Sequence, residues 1–162
     1  MMADAARFVA WFDDPAVHRF LARRKLNIKE EKEWIRSLPK KKNEVHFAID
    51  TREKIHIGSV GLHINRQDNF AVFGIMIGDK RCWSMGYGTE AMKLIVDYGF
   101  RRLKLHRIEL EVYDYNIRGI KLYRRLGFKV EGEKRERVLW KGKYYNVLQM
   151  GVLRREWLRH LK

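Results

Sequence analysis

Two glycines one residue apart, Gly86 and Gly88, precede a stretch with helical periodicity in the segment WSMGYGTEA. Glycine carries no Cβ, so backbone N–H groups at such a turn can point toward a bound anion. The helix that follows begins with N–H donors that lack partners inside the helix and with a partial positive charge. The pair therefore predicts a phosphate or pyrophosphate site, although a turn that only changes the chain direction fits the same spacing.

The same glycines fit the pattern G-x-G-x-x-A of dinucleotide-binding folds, and Glu109 follows at about the expected spacing of ~20 residues. In those folds the first glycine follows its strand directly, because the turn is tight. Here residues 79–85 intervene, and the chain shows a single strand–helix–strand crossover rather than several. We therefore reject a dinucleotide-binding fold.

A second cluster is the segment EVYDYNIRGIKLYRRLGF, which begins at Glu111. Asn116 and Tyr123 are seven residues apart and fall on one face of a helix, where a helix cap and a core aromatic are their structural roles. Glu111 alternates with apolar neighbours and shares a strand face with Glu109 and Tyr113. A carboxylate and a phenol are groups that transfer protons, but a salt-bridged strand glutamate and a packed tyrosine explain them equally.

The elements that position these residues follow from the periodicity of the apolar residues. Residues 3–12, 15 onward, 28–38, 91–98 and 117–126 predict helices. Residues 45–49, 55–62, 70–77, 107–113, 128–139 and 144–153 predict strands, the last two as a hairpin around residues 141–143. The helix ends are marked by Asp14 with Pro15, by Asn27 with Glu30, by Asn116 and by Gly127.

The order of these elements is helices, an antiparallel meander, a strand–helix–strand crossover, a helix and a closing hairpin. This order predicts an α+β fold with a mixed, mostly antiparallel sheet flanked by helices. The length of 162 residues suits one domain that covers residues 1–162.

The net charge of +15, from 35 basic and 20 acidic residues, favours anionic partners such as nucleic acid or a phosphate-bearing cofactor. A nucleic-acid or ribosome-binding module without catalysis is therefore an alternative class. The basic runs at residues 23–25, 40–42 and 154–155 are scattered, however, and no RRM, KH or helix-turn-helix signature accompanies them.

The remaining composition excludes other kinds of site. The single cysteine, Cys82, excludes an intrachain disulfide, which fits a cytoplasmic protein. Charges interrupt every apolar run, so we expect no membrane span. The six histidines show no paired ligand spacing, so we expect no metal.

The segments WSMGYGTEAM and NIRGIKLYRRLGF together resemble the GNAT family of N-acetyltransferases, and the resemblance covers nearly the whole chain from Asp13 onward. It implies splayed central strands and acetyl-CoA as the acetyl donor. The implied cofactor-binding residues are Ile75, Met76 and Ile77, then Ser84, Met85, Gly86, Tyr87, Gly88 and Thr89, and finally Asn116 and Tyr123.

The resemblance also implies catalytic roles. Tyr123 is similar to the family's general acid, since a phenol with a pKa of about 10 can protonate a departing thiolate. Glu111 is the candidate base, because protein N-terminal acetyltransferases pair a glutamate at this spacing with the tyrosine. If water instead accepts the proton of the acceptor amine, no side chain acts as the general base.

The acceptor is expected to be a protein or peptide N-terminal amine. Trp83 and the closing pattern Gly132, Arg135, Gly142 and Asn146 resemble the branch that acetylates ribosomal proteins. A small amine, such as a polyamine, an antibiotic or an amino acid, is the alternative acceptor. A homodimer is compatible with the sequence, and contact with nucleic acid is expected only through a substrate.

Two features depart from the family. The family's first strand is missing before residue 3, so the start is truncated or an edge strand is lost. Val72 stands where many family members have a glutamate that is a candidate general base.

Overall fold

The computed structural model describes residues 4–21 and 26–160. Ala3, the first residue of the predicted first helix, and the basic run at residues 23–25 lie outside these ranges. The helices are α1 (Asp4–Asp13), α2 (Pro15–His18), α3 (Ile28–Ser37), α4 (Tyr87–Arg101), α5 (Ile117–Arg125) and α6 (Arg154–His160). The strands are β1 (Glu44–Asp50), β2 (His56–Asn65), β3 (Phe70–Ile77), β4 (Arg107–Tyr113), β5 (Lys129–Trp140) and β6 (Lys143–Leu153).

Within the described residues, six strands form one sheet in the order β1-β2-β3-β4-β6-β5. The pairs β1–β2, β4–β6 and β5–β6 are antiparallel, whereas β3–β4 is parallel. The parallel register joins residues 70–72 to residues 107–109, and the two strands then continue to Ile77 and Tyr113. The predicted α+β fold, with a mixed, mostly antiparallel sheet and a splayed central pair, is confirmed.

The helices begin where the sequence places polar caps. The side chain of Asp14 accepts a hydrogen bond from Ala16 N at 2.9 Å, and Asn27 accepts one from Glu30 N at 2.8 Å. Such caps satisfy N–H groups that have no partner inside the helix. α2 is a single turn, shorter than the sequence suggests, and α6 was not predicted.

The chain divides into two compact units, one of Met1–His63 with Gly74–Ile95 and the other of Ile64–Phe73 with Val96–Lys162. The prediction of one domain over the whole chain stays a prediction. Among the helices of residues 4–21 and 26–160, none is long and apolar enough to cross a membrane.

In the first unit, Phe8, Val17 and Met76 form a buried apolar cluster, and Trp11 packs against it. A Cβ on Gly78 would lie only 1.9 Å from Cδ2 of Trp11, so the indole rests directly on the backbone at this position. The packing of α1 therefore requires glycine at position 78.

The core of the second unit is built from alternate residues of β4 and from the helices beside it. Ile108, Leu110 and Val112 are buried, as the alternation predicts. Trp157 of α6 is 1% exposed, and its indole N–H donates to Oδ1 of Asp97 at 3.3 Å. This unpredicted helix thus contributes one of the largest buried side chains of the unit.

Candidate functional site

The glycine turn between β3 and α4 has a special backbone. Ser84 has a φ of 65° and Gly86 a φ of 93°, both in the left-handed region. This conformation costs a serine about 1 kcal/mol or more, whereas a glycine adopts it without strain. Five other non-glycine residues share this conformation elsewhere in the described chain, so the φ of Ser84 fits a tight turn as well as a ligand-binding site.

The start of α4 leaves its positive end open. Thr89 N and Glu90 N both donate to the carbonyl of Gly86, at 2.9 and 3.0 Å. A Cβ on Gly86 would have no described heavy atom within 4 Å, and a Cβ on Gly88 would meet only Cγ1 of Ile77, at 3.7 Å. The backbone here is therefore bare on its outer side, which suits the approach of an anion.

Trp83 fixes this turn to the end of β3. Its indole N–H donates to the carbonyl of Ile77 at 2.8 Å, and its ring is half-buried. The residues predicted to bind cofactor in this unit thus lie in two connected segments, Ile75–Met76–Ile77 and Ser84–Met85–Gly86–Tyr87–Gly88–Thr89. The carbonyl oxygen of Met76 lies close against the backbone of Gly58 in β2. A Cβ at position 58 would lie only 2.0 Å from this oxygen.

In the second unit, Asn116 caps α5. Its Oδ1 accepts a hydrogen bond from Gly119 N at 2.9 Å, and Ile120 N donates to its carbonyl at 3.0 Å. The capping role is confirmed, while the contact with the cofactor arm stays a prediction. Gly119 is fitted closely to the cap, since a Cβ there would lie 2.8 Å from Nδ2 of Asn116.

Tyr123 lies on the buried face of α5 and is 8% exposed. Its ring packs against Phe73 and Phe128, each with a centroid distance of 6.3 Å. Burial raises the pKa of Tyr123 to about 12, because an apolar environment disfavours the phenolate. The phenol is therefore protonated throughout the neutral range, which is the form that a proton donor needs.

Glu111 occupies the exposed face of β4, and its side chain is 51% exposed. It forms an ion pair with Lys134 of β5 and stands opposite Gln149 of β6. The structure thus shows the salt-bridged arrangement that the sequence left open, and the role of general base stays a prediction. Lys134 could not be found from sequence, because the pairing of β5 with β6 places it there.

The closing hairpin holds Asn146 in a network of hydrogen bonds. Asn146 N donates to Oδ2 of Asp114 at 3.0 Å, and Asn146 Oδ1 accepts from Glu136 N at 2.8 Å. Its Nδ2 donates to Oε1 of Glu133 at 2.7 Å. An aspartate has no N–H to donate, which explains why an asparagine suits this position. Arg135, Glu136 and Asn146 line a cleft beside this network.

Comparison with known proteins identifies the family. The acetyltransferase (GNAT) domain matches residues 2–129. The chain is 33% identical over 122 residues to the N-acetyltransferase p20 of Bacillus licheniformis, covering 75% of this chain and 67% of that protein. It is 36% identical over 101 residues to spermidine N(1)-acetyltransferase of Escherichia coli, covering 62% of this chain but only 54% of that enzyme.

The solved structures agree with this result. Spermidine N-acetyltransferase from Vibrio cholerae, solved in complex with CoA and spermine, matches with a TM-score of 0.88 and 25% identity, over 96% of this chain and 93% of that chain. The Escherichia coli and Vibrio cholerae relatives are named for spermidine rather than for ribosomal proteins, so the predicted family is confirmed and the predicted branch is not. The chain belongs to the GNAT family of acetyltransferases, which use acetyl-CoA as their cosubstrate.

Proposed function

We propose that the protein is an N-acetyltransferase that moves the acetyl group of acetyl-CoA to a primary amine of a polyamine. The observation that carries the proposal is the 36% identity to the spermidine N(1)-acetyltransferase of Escherichia coli. The Vibrio cholerae enzyme solved with CoA and spermine adds support from the fold. The small-molecule acceptor thus replaces the protein N-terminus as the first choice.

The features that favoured a protein N-terminus have internal roles in this chain. The indole N–H of Trp83 donates a hydrogen bond to the carbonyl of Ile77. Gly142 has a φ of 77° in the turn between β5 and β6. Asn146 joins β6 to its neighbours. None of these contacts selects an acceptor, so a peptide N-terminal amine is the second candidate, supported by the resemblance alone.

The net charge of +15 does not exclude a polycation. At physiological ionic strength the Debye length is about 8 Å, so most surface charges are screened from a ligand in a cleft. Long-range repulsion slows the encounter more than it weakens the bound complex. Carboxylates near the acceptor nitrogen, rather than the total charge, then set the affinity.

The proposed chemistry is acyl transfer. A neutral amine nitrogen attacks the thioester carbonyl, the C–N bond forms, and the C–S bond breaks. Tyr123, whose phenol is protonated at neutral pH, donates its proton to the departing sulfur, and the phenolate then recovers a proton from the one that leaves the amine. A backbone N–H near Met76 or Ile77 stabilises the carbonyl oxygen, and the turn from Ser84 to Thr89 binds the pyrophosphate.

The proton that leaves the amine needs an acceptor. The ion pair with Lys134 engages one carboxylate oxygen of Glu111, Oε1, so Glu111 can accept the proton through its other oxygen. A chain of water molecules provides the other route. A Glu111→Gln variant separates them, since activity retained in this variant assigns the proton to water.

The test is a screen of acceptor amines for release of free CoA thiol from acetyl-CoA. Spermidine, spermine, N-terminal peptides, aminoglycosides and amino acids are compared at equal concentration. We expect fast, saturable turnover with spermidine or spermine and little with peptides. Peptide turnover without polyamine turnover would reverse the order of the candidates, and absence of turnover with every amine would favour a binding module.

A further inference from the structure

The pairing of β1 with β2 places three potential metal ligands on one face of the sheet. Glu44 stands directly opposite His63, and His46 stands opposite Gly61. Residues two apart on a strand share a face, so the side chains of Glu44, His46 and His63 point to the same side. All three belong to the first unit and lie away from the glycine turn in sequence.

The ligand atoms are already close together. Oε2 of Glu44 lies 3.0 Å from Nε2 of His46 and 3.8 Å from Nδ1 of His63. One ligand atom from each residue lies within 4.8 Å of the other two. Zinc bonds of about 2.0–2.1 Å in a tetrahedral site separate neighbouring ligand atoms by about 3.3 Å. Small side-chain rotations therefore bring all three atoms around one ion.

Two neighbours hold the ring of His46 in place. A Cβ on Gly61 would lie 2.6 Å from Nδ1 of His46, so only glycine lets the imidazole lie over β2. The ring of Trp34 packs edge-on against His46, with a centroid distance of 5.0 Å. His46 itself is 5.3 Å from the ring of His63. The imidazole of His46 is thus held in one orientation before an ion binds, so less side-chain entropy is lost on binding.

We propose that Glu44, His46 and His63 bind a divalent first-row transition metal ion such as Zn²⁺. Two imidazoles and one carboxylate are ligands that Zn²⁺ takes in sites with an open fourth position. Mg²⁺ and Ca²⁺ prefer oxygen ligands alone, so this set discriminates against them. Lys41 Nζ lies 3.1 Å from Oε1 and 3.3 Å from Oε2 of Glu44, so a bound ion takes the place of this lysine at Oε2, the atom nearest the two rings.

The bound ion would connect β1 to β2. β1 is the first strand in the sheet order, so among the described strands it pairs with β2 only. A metal bridge between the two strands adds a link at this edge and raises the stability of the folded state by mass action.

The experiment measures binding of Zn²⁺ to the metal-stripped, untagged protein by isothermal titration calorimetry, with Co²⁺ absorption as a second readout. We expect one ion per chain and a rise in melting temperature. His63→Ala should weaken binding more than about 100-fold, because loss of even an outer-shell partner costs 10–100-fold. His63 is 56% exposed, so its removal should leave the fold intact.

His106→Ala is the matched control, since His106 is also exposed but lies on the other unit. It should bind Zn²⁺ like the unmodified protein, and Mg²⁺ should not compete. Absence of Zn²⁺ binding, or equal affinity in His63→Ala and His106→Ala, would overturn the proposal.

Discussion

A carboxylate placed in the glycine turn should abolish the stabilisation that CoA gives. We expect CoA at about 100 times its Kd to stabilise the protein by about 2.7 kcal/mol. For a chain of this length, that corresponds to a rise of roughly 5–10 °C in melting temperature. Gly88 is the second residue of α4, so a glutamate there lies where a pyrophosphate is expected.

The size of the effect follows from the charges. Two unit charges about 4 Å apart repel by about 4 kcal/mol at the effective dielectric of a protein surface. Gly88→Glu should therefore weaken CoA binding about 1,000-fold and leave almost no thermal shift at the same concentration. In the absence of CoA, however, an acidic residue in the first turn of α4 stabilises the helix by about 0.3–1 kcal/mol.

The assay is differential scanning fluorimetry with and without CoA, with Gly88→Ala as the matched control. A methyl group at position 88 meets Cγ1 of Ile77 at an ordinary distance of 3.7 Å, so this variant should keep both its fold and its thermal shift. A Gly88→Glu variant that folds normally and retains the full CoA-induced shift would refute the assignment of the turn.

Three further predictions concern α5. Tyr123→Phe should lower kcat by about 10²–10⁴-fold with an unchanged CoA-induced thermal shift; near-normal turnover would leave Tyr123 a packing residue. The pKa of Tyr123 is raised from 10.0 to about 12, so the folded protein favours the neutral phenol. The free energy of unfolding therefore contains a contribution from this phenol that is complete below pH 10 and is lost as the pH rises from 10 through 12. Between pH 9 and pH 12 the loss is about 2 kcal/mol, measured as the difference between the unmodified protein and Tyr123→Phe in urea unfolding at the two pH values. Asn116→Ala should cost about 1 kcal/mol and lower the melting temperature by about 2–4 °C, because Gly119 N loses its acceptor.

Local patterns in the sequence were enough to predict most of the fold. The caps Asp14, Asn27 and Asn116 and the period of β4 are short-range signals, and the structure confirms each of them. α6 was missed because the segment after β6 is short and its anchor, Trp157, packs against residues distant in sequence.

The site was less accessible to sequence reasoning wherever strand pairing decides the contact. Nothing near Glu111 in the sequence reveals Lys134, which lies on another strand. The cluster of Glu44, His46 and His63 escaped notice for the same reason, since His46 and His63 come from different strands and have no fixed ligand spacing. The acceptor that we propose differs from the predicted one, because Trp83 and Asn146, which suggested a branch of the family, contact the protein's own backbone.

The contact between Trp11 and Gly78 restricts how this sequence can change during evolution. A side chain at position 78 would collide with the indole, since even its first carbon would lie 1.9 Å from the ring. A larger residue at position 78 is tolerable only after position 11 has become smaller, and a smaller residue at position 11 leaves a cavity over a bare glycine. The two positions should therefore covary among related sequences, with a large aromatic residue at one accompanied by glycine at the other.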